Sequence, residues 1–272
     1  MTTKLEVVNS ALMRCGAEPL AAIPDLTNKR GVLISNHYDI VLRELLNDTT
    51  WNFVTSRATR LYKTTAPKWG FKNAYTIPST IIRIIDLSSN NNISSLSNQE
   101  TFRVETQQLL TDYDDNSRAV AITRSGTTAT VTDVGHGFND GETILFSGAT
   151  QTDYNISAVI TKIDADHYSY TVGGAPATPA TGSPLAVRDS SALRVKAIMY
   201  VDDPTTYSSS FNTALYLKLA ENISYSLVQS QSLQQAIIAE ADRYLRRARS
   251  YNSQEGVQDS RYNEQYTTGL RL

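Results

Sequence analysis

Residues 4–15 place Leu5, Val8, Leu12 and Cys15 at helical spacing, so the chain opens on a helix with one apolar face. Gly16 and Pro19 end it, since neither residue continues a helix well. A second helix is predicted from about Asn28 to Asp48. Its buried stripe is Ile34, Tyr38, Val41, Leu42 and Leu45, with Arg43, Glu44 and Asn47 on the outer side. After Trp51 and Phe53 the texture changes. Tyr75-Thr76-Ile77-Pro78 and Ile81 to Ile85 are rich in β-branched residues and predict short strands. Ser88 to Asn98 is a polar stretch with three consecutive asparagines and predicts an exposed loop. Phe102 to Glu105 and Leu109-Leu110 predict one more hairpin.

Residues 116–190 differ in kind. They are dense in Thr, Ala, Gly, Ser and Val, and no amphipathic helix can be drawn through them. Strands are predicted at Ala119–Arg124, Thr128–Val134, Glu142–Ser147, Ile156–Ile163 and Tyr168–Val172. Turn chemistry separates them: Ser125-Gly126, Asn139-Asp140-Gly141, Ser147-Gly148 and Asp164-Ala165-Asp166. Asp140-Gly141 between two alternating runs is a short-range turn signal. The stretch reads as a small antiparallel β-domain, and Gly173 to Pro184 as a linker or long loop leading out of it.

Helical periodicity then returns. Leu193 to Val201 is strand-like, and Asp202-Asp203-Pro204 is a turn. From about Ser210 to Gln231, Phe211, Leu215, Leu219, Ile223 and Leu227 recur every four residues. Ser232 with Gln235 matches a capping box opening a last helix. Ile237, Ala241, Leu245 and Ala248 are its inner face, and Gly256 its stop. Residues 257–272 hold only three aliphatics, Val257, Leu270 and Leu272, too few to offset the entropy of ordering such a tail alone. The expected fold is α+β. A mainly helical core over 1–115 and 191–256 carries a small β element, interrupted by an inserted antiparallel all-β domain at 116–190. An extended C-terminal tail follows at 257–272.

Composition narrows the class. The chain has 272 residues, 40% hydrophobic and 19% charged, with a formal net charge of −2, which suits a soluble globular protein and lacks the basic excess of a nucleic-acid reader. No apolar run reaches the ~18 residues a membrane span needs, and Met1 to Glu6 has no apolar stretch of the secretory kind. The single cysteine, Cys15, forms no internal disulfide and reads as a small core hydrophobe. Tyrosine is frequent at 15 residues, and interfaces favour it for joining apolar area to a polar tip.

Candidate chemistry is sparse. His37, His136 and His167 are the only histidines, and none pairs at ligand spacing with Cys or carboxylates. Asp164-Ala165-Asp166-His167 reads first as a β-turn and second as a cation site. Asp112, Asp114 and Asp115 read first as a solvated loop. Arg243, Arg246, Arg247 and Arg249 cluster near the end of the last helix. They suit either an interface with phosphate or an acidic protein surface, or the helix dipole, which favours cations near a C-terminus. Trp51 and Phe53 read as core anchors, and Trp69 and Phe71, beside Pro67 and Gly70, as a loop that contacts a neighbouring subunit.

The order of these features resembles the bacteriophage head-to-tail adaptor family, which includes tail tubular A proteins and head-completion connectors. Val7-Val8-Asn9-Ser10-Ala11-Leu12 with Gly16 and Pro19 carries the resemblance, as does the second helix running into Trp51-Asn52-Phe53. Arg57, Leu61, Tyr75-Thr76-Ile77-Pro78, Arg83-Ile84, Tyr200-Val201 and Phe211 with the paired C-terminal helices follow in order. Gly135-His136-Gly137-Phe138, Phe146-Ser147-Gly148-Ala149-Thr150 and Tyr168 to Val172 look similar to β-modules of phage structural proteins. Compact adaptors lack this insert.

The resemblance implies a non-enzymatic virion protein at the head-tail junction, with no cofactor, no metal and no membrane partner. Its implied partners are the portal protein, a tail or nozzle protein below, and copies of itself in a homo-oligomeric, dodecameric ring. Genomic DNA would pass through the channel without sequence-specific binding. A ring needs two complementary faces, and the outer faces of the helices at 28–48 and 210–250 are candidates. The tail is expected to order against the portal through Arg261, Tyr262, Tyr266, Leu270, Arg271 and Leu272. A competing reading is a virion surface protein binding host glycans through the insert, with Tyr154, Tyr168 and Tyr170 as a sugar-stacking surface. A wall-degrading hydrolase would need a carboxylate pair or a Cys/His set in a cleft, for which no signature exists.

Overall fold

The computed structural model describes residues 2–88 and 102–255. Two compact units partition the chain: Met1–Thr55 with Ile198–Leu272, and Ser56–Ala197. These boundaries differ from the 115/116 and 190/191 divisions read from the sequence, because the strands before the insert cluster with it. Among the described residues, the fold is mixed, with four helices and several antiparallel sheets.

The first unit is helical. Helix α1 (Lys4–Arg14) opens on a capping box, in which Thr3 accepts from the Glu6 amide and Glu6 accepts from the Thr3 amide. It stops at Gly16, whose φ of +74° suits glycine. Helix α2 (Lys29–Asp48) is capped by Asn28, which accepts from the Gly31 amide at 2.9 Å. The Asp25 carbonyl lies so close to Gly31 that a Cβ there would sit 1.6 Å from it, so only glycine fits. All five stripe residues predicted for α2 are buried.

Helix α3 (Ser209–Val228) packs against α1, α2 and helix α4 (Gln231–Gln254). It is buried on most of its circumference, including Phe211, Ala214, Leu215, Leu217, Leu219, Ala220 and Ile223, as a helix enclosed by three others must be. It ends earlier than the sequence suggested. Gln229 takes a left-handed conformation, and Ser230 caps α4 by accepting from Leu233. Ser232, the predicted cap, lies inside the first turn and hydrogen-bonds the Ser230 hydroxyl instead. Trp51 is fully buried among Phe53 and Phe211, and its indole N–H donates to the Leu45 carbonyl at 2.7 Å. That bond lets the largest side chain enter the core without an orphaned donor.

The second unit is built from strands. Among the described residues, six precede the insert: β1 (Thr55–Arg60), β2 (Tyr62–Thr64), β3 (Asn73–Thr76), β4 (Ile81–Ser88), β5 (Phe102–Glu105) and β6 (Gln108–Thr111). Strands β2-β3-β6-β5 form one antiparallel sheet. The β5–β6 hairpin turns at Thr106 and Gln107, both with positive φ, as the twist of a two-residue hairpin requires. The predicted polar loop, Ser88 to Asn98, falls outside the described residues beyond Ser88.

The insert contributes β7 (Arg118–Ala119), β8 (Ala121–Ser125), β9 (Thr128–Thr132), β10 (Thr143–Ala149), β11 (Ser157–Val159), β12 (Thr161–Lys162), β13 (His167–Thr171) and β14 (Gly182–Arg188). Strand β15 (Arg194–Met199) lies between β1 and β4 in a separate three-stranded sheet. The insert's two sheets are ordered β11-β10-β14-β7 and β12-β13-β9-β8. Two strands turn the corner between them. Residues 118–125 pair first with β14 and then with β9, with Val120 bridging to the Pro184 carbonyl at 3.0 Å. Residues 157–162 pair first with β10 and then with β13, and the Ile160 amide donates to Glu142 at 2.9 Å. The antiparallel ladder therefore closes on itself as a small barrel. Ile122, Val131, Phe138, Ile144, Phe146, Tyr154, Ile160, Tyr168 and Tyr170 fill it. Burying each such side chain contributes roughly 1.5–3 kcal/mol.

One expectation for the insert is corrected and one is refined. Gly182 to Arg188 is a central strand rather than the end of a linker, since β14 lies between β10 and β7. The Asn139–Glu142 turn does form, with the Glu142 amide on the Asn139 carbonyl at 3.3 Å and Gly141 at a φ of +77°. Its flanking strands β9 and β10 belong to different sheets, so this turn carries the chain from one sheet to the other.

Candidate functional site

Helix α4 is where candidate interaction chemistry gathers. Its inner face is Ile237, Ala241, Leu245 and Ala248, all buried as the spacing predicts. With that stripe fixed, Arg243, Arg246 and Arg247 fall on the outer side and are exposed. The acidic residues of α4 are paired with neighbouring helices: Glu240 with Arg14 of α1, and Asp242, which accepts from Lys218 of α3 at 3.2 Å. Arg249 bonds to Asp48 at the end of α2, 2.7 Å from Nε to the carboxylate. Sorting the charges in this way leaves Arg243, Arg246 and Arg247 without a carboxylate partner among the described residues.

Tyrosines hold two of these guanidinium groups in place. Arg247 donates through Nε and an Nη to the Tyr251 hydroxyl at 3.0 and 2.8 Å and lies 5.3 Å from that ring's centre. Arg243 lies 5.4 Å from the centre of the Tyr244 ring. Arg243, Tyr244 and Arg247 line a shallow cavity of about 260 Å³. The helix-dipole explanation weakens here. Helix α4 runs to Gln254 and its last turn holds no basic residue, whereas the dipole acts within that turn. Arg249 is accounted for by its ion pair, and the other three arginines are not.

The remaining predicted residues are placed as follows. Arg261, Tyr262, Tyr266, Leu270, Arg271 and Leu272, and the Gly256 stop, lie outside the described residues. Tyr154, Tyr168 and Tyr170 are buried in the barrel at 0%, 0% and 3% exposure, and Phe146 stacks on Tyr170 at 4.1 Å. They are core, and the sugar-stacking surface assigned to them is withdrawn. His136 is 3% exposed, with Nδ1 accepting from the Phe138 amide at 2.9 Å and Nε2 3.0 Å from the Asp164 carbonyl, so both ring nitrogens are committed. His37 is half-buried on α2.

Asp164 accepts from the Asp166 amide at 2.7 Å and sits 3.0 Å from His167, which holds its carboxyl below the usual range. That geometry is a turn. Among the described residues, no three His, Cys, Asp or Glu side chains gather closely enough to hold a metal ion. Asp115 is corrected from solvated loop to buried, at 3% exposure and 3.8 Å from Lys63, while Asp114 pairs with the same lysine at 2.8 Å. Asp112 accepts from the Lys72 amide at 3.0 Å. Cys15 is buried, and loss of solvation pushes its thiol up to about 11. Trp69 is 87% exposed, and Phe71 is half-buried.

One polar cluster escaped the sequence reading. The Tyr200 hydroxyl donates to Asp39, Arg43 lies 4.0 Å over the Tyr200 ring, and Lys4 bonds Asp202 at 2.5 Å while lying 4.2 Å over the Tyr38 ring. Asp39 and Arg43 show the i, i+4 spacing of a helix-surface pair, but Tyr200 lies far along the chain and leaves no local signal. Among the described residues, no helix is long and apolar enough to cross a membrane.

No family model matches the chain, and no curated protein matches it. Among solved structures, it is similar to phage phi92 endosialidase, at 18% identity over 37% of this chain and 13% of that chain, with a TM-score of 0.18. The chain thus spans about an eighth of that protein's length, and a likeness at this TM-score bears on neither fold nor activity.

Proposed function

We propose that the chain is a non-enzymatic connector of a tailed-phage virion. It forms a dodecameric ring under the portal, completes the head, and continues the DNA channel toward a tail or nozzle protein. The observation that supports this reading best is the helical unit itself. Both ends of the chain build it, with the opening helix and the Trp51-Asn52-Phe53 corner meeting the Phe211 end of α3. The β unit is inserted between those halves, which is the order of features that led to the adaptor resemblance.

Ring closure requires two different, complementary surfaces on each copy. The outer face of α2 offers Val32 and Ile40, exposed at 39% and 62%. These are modest apolar contacts of the kind interfaces use. The tail, through Arg261, Tyr262, Tyr266, Leu270, Arg271 and Leu272, is the proposed portal anchor. Ordering such a segment costs about 2–5 kcal/mol per copy, and repetition around a ring offsets this by raising the effective concentration of each next copy.

Removing residues 257–272 tests the anchor. The truncated protein is expected to keep the melting temperature of the full chain and to lose co-sedimentation with portal rings. A truncated chain that still completes heads contradicts the proposal.

A further inference from the structure

We propose that the outer face of α4, carried by Arg243, Arg246 and Arg247, is a docking surface for a carboxylate-rich segment of another protein. This rests on the connector reading only for the identity of that protein, and the face itself is argued from α4. Three arginines within five residues share one exposed face, and their own unit supplies no carboxylate to any of them among the described residues. Like charges at i, i+3 and i, i+4 repel each other mildly, and the nearby carboxylates Glu240 and Asp242 are bonded to Arg14 and Lys218, so an incoming anion gains from the three arginines.

The tyrosines make the arrangement more than a charge run. Tyr251 accepts both Nε–H and Nη–H bonds from Arg247, and the Tyr244 ring lies beside Arg243. Held in this way, Arg247 loses less side-chain entropy on binding, and the N–H groups that Tyr251 leaves free can meet a carboxylate. The cavity between Arg243, Tyr244 and Arg247, about 260 Å³, has room for a carboxylate side chain.

Phosphate offers similar chemistry, but the setting favours carboxylate. Duplex DNA is held by an extended positive field that neutralises many phosphates. Here the basic face is short, Glu240 and Asp242 lie on the same helix, and the chain is net negative at −2. A local, oriented pairing suits an acidic peptide segment better than a polyanion backbone.

The test uses the full chain and needs no portal, so its outcome is independent of ring formation. Binding of fluorescein-labelled oligoglutamate and of labelled duplex DNA is followed by fluorescence anisotropy at low and moderate salt. Three proteins are compared: the wild type, the triple variant Arg243→Gln/Arg246→Gln/Arg247→Gln, and a charge-matched control, Lys68→Gln/Lys72→Gln/Arg103→Gln, altered at exposed sites of the other unit. Oligoglutamate is expected to bind the wild type and the control alike and the triple variant about tenfold more weakly, with unchanged circular dichroism. Equal binding by all three proteins, or no binding to the wild type, overturns the proposal. Tighter binding of DNA than of oligoglutamate, lost in the triple variant, replaces it with a nucleic-acid contact.

Discussion

At the scale of single residues, much of the chemistry is a matter of partners the sequence does not place side by side. Asp39 is an example. The Tyr200 hydroxyl, with the guanidinium of Arg43, holds its carboxyl below the usual value of 3.8. A carboxylate depressed in the folded state adds stability that is fully present above its unfolded value and lost as pH falls through the folded one. Tyr200→Phe removes the leading cause. The variant is expected to show a higher Asp39 pKa by NMR titration, a lower stability at neutral pH, and a smaller further loss than the wild type as pH falls below about 4. An unchanged Asp39 titration would remove Tyr200 from this role. Cys15 shows the complementary case. Its place on the apolar face of α1 is visible from spacing alone, and burial keeps its thiol protonated and inert.

At the scale of elements, legibility follows the length of the periodic signal. The helices were readable because their stripes are long: α2 buries every residue predicted for it, and so does the inner face of α4. Their ends were less so. Ser230 and Ser232 have the same capping chemistry, and only the left-handed Gln229 decides between them. In the insert, β14 was hidden by its own composition. Gly182, Ser183 and Pro184 read as loop, yet the ladder shifts register there, with two residues of β14 set against Gly148 alone. Proline is tolerated at such a bulge because no ladder bond is asked of it.

The same bulge yields a prediction. A Cβ at Gly148 would lie 2.2 Å from the Ser183 carbonyl, and the residue's φ is +79°. Gly148→Ala is therefore expected to destabilise the barrel by more than about 1 kcal/mol, read as a lower denaturant midpoint. A midpoint equal to the wild type's would mean that the β10–β14 bulge does not form as described.

At the scale of the whole molecule, the α+β class and the presence of an antiparallel insert were legible, whereas the closure of that insert was not. Closure depends on residues 118–125 and 157–162 each changing partners midway, and alternation along a strand is silent about which sheet it joins. The predicted interaction residues divide in the same manner. The arginines of α4 could be counted in the sequence, but which one pairs with Asp48, and which carboxylates pair with neighbouring helices, required the packing of α3 against α4. The connector reading rests on the ordered features of the helical unit. On the proposed connector reading, function would come from faces that repeat around an axis rather than from a reactive group.

The most direct test of the connector reading is electron microscopy of the purified protein mixed with its cognate portal. Twelvefold rings stacked coaxially beneath the portal are the predicted result. A protein that stays monomeric and leaves the portal bare, at concentrations where portal rings are intact, would contradict it.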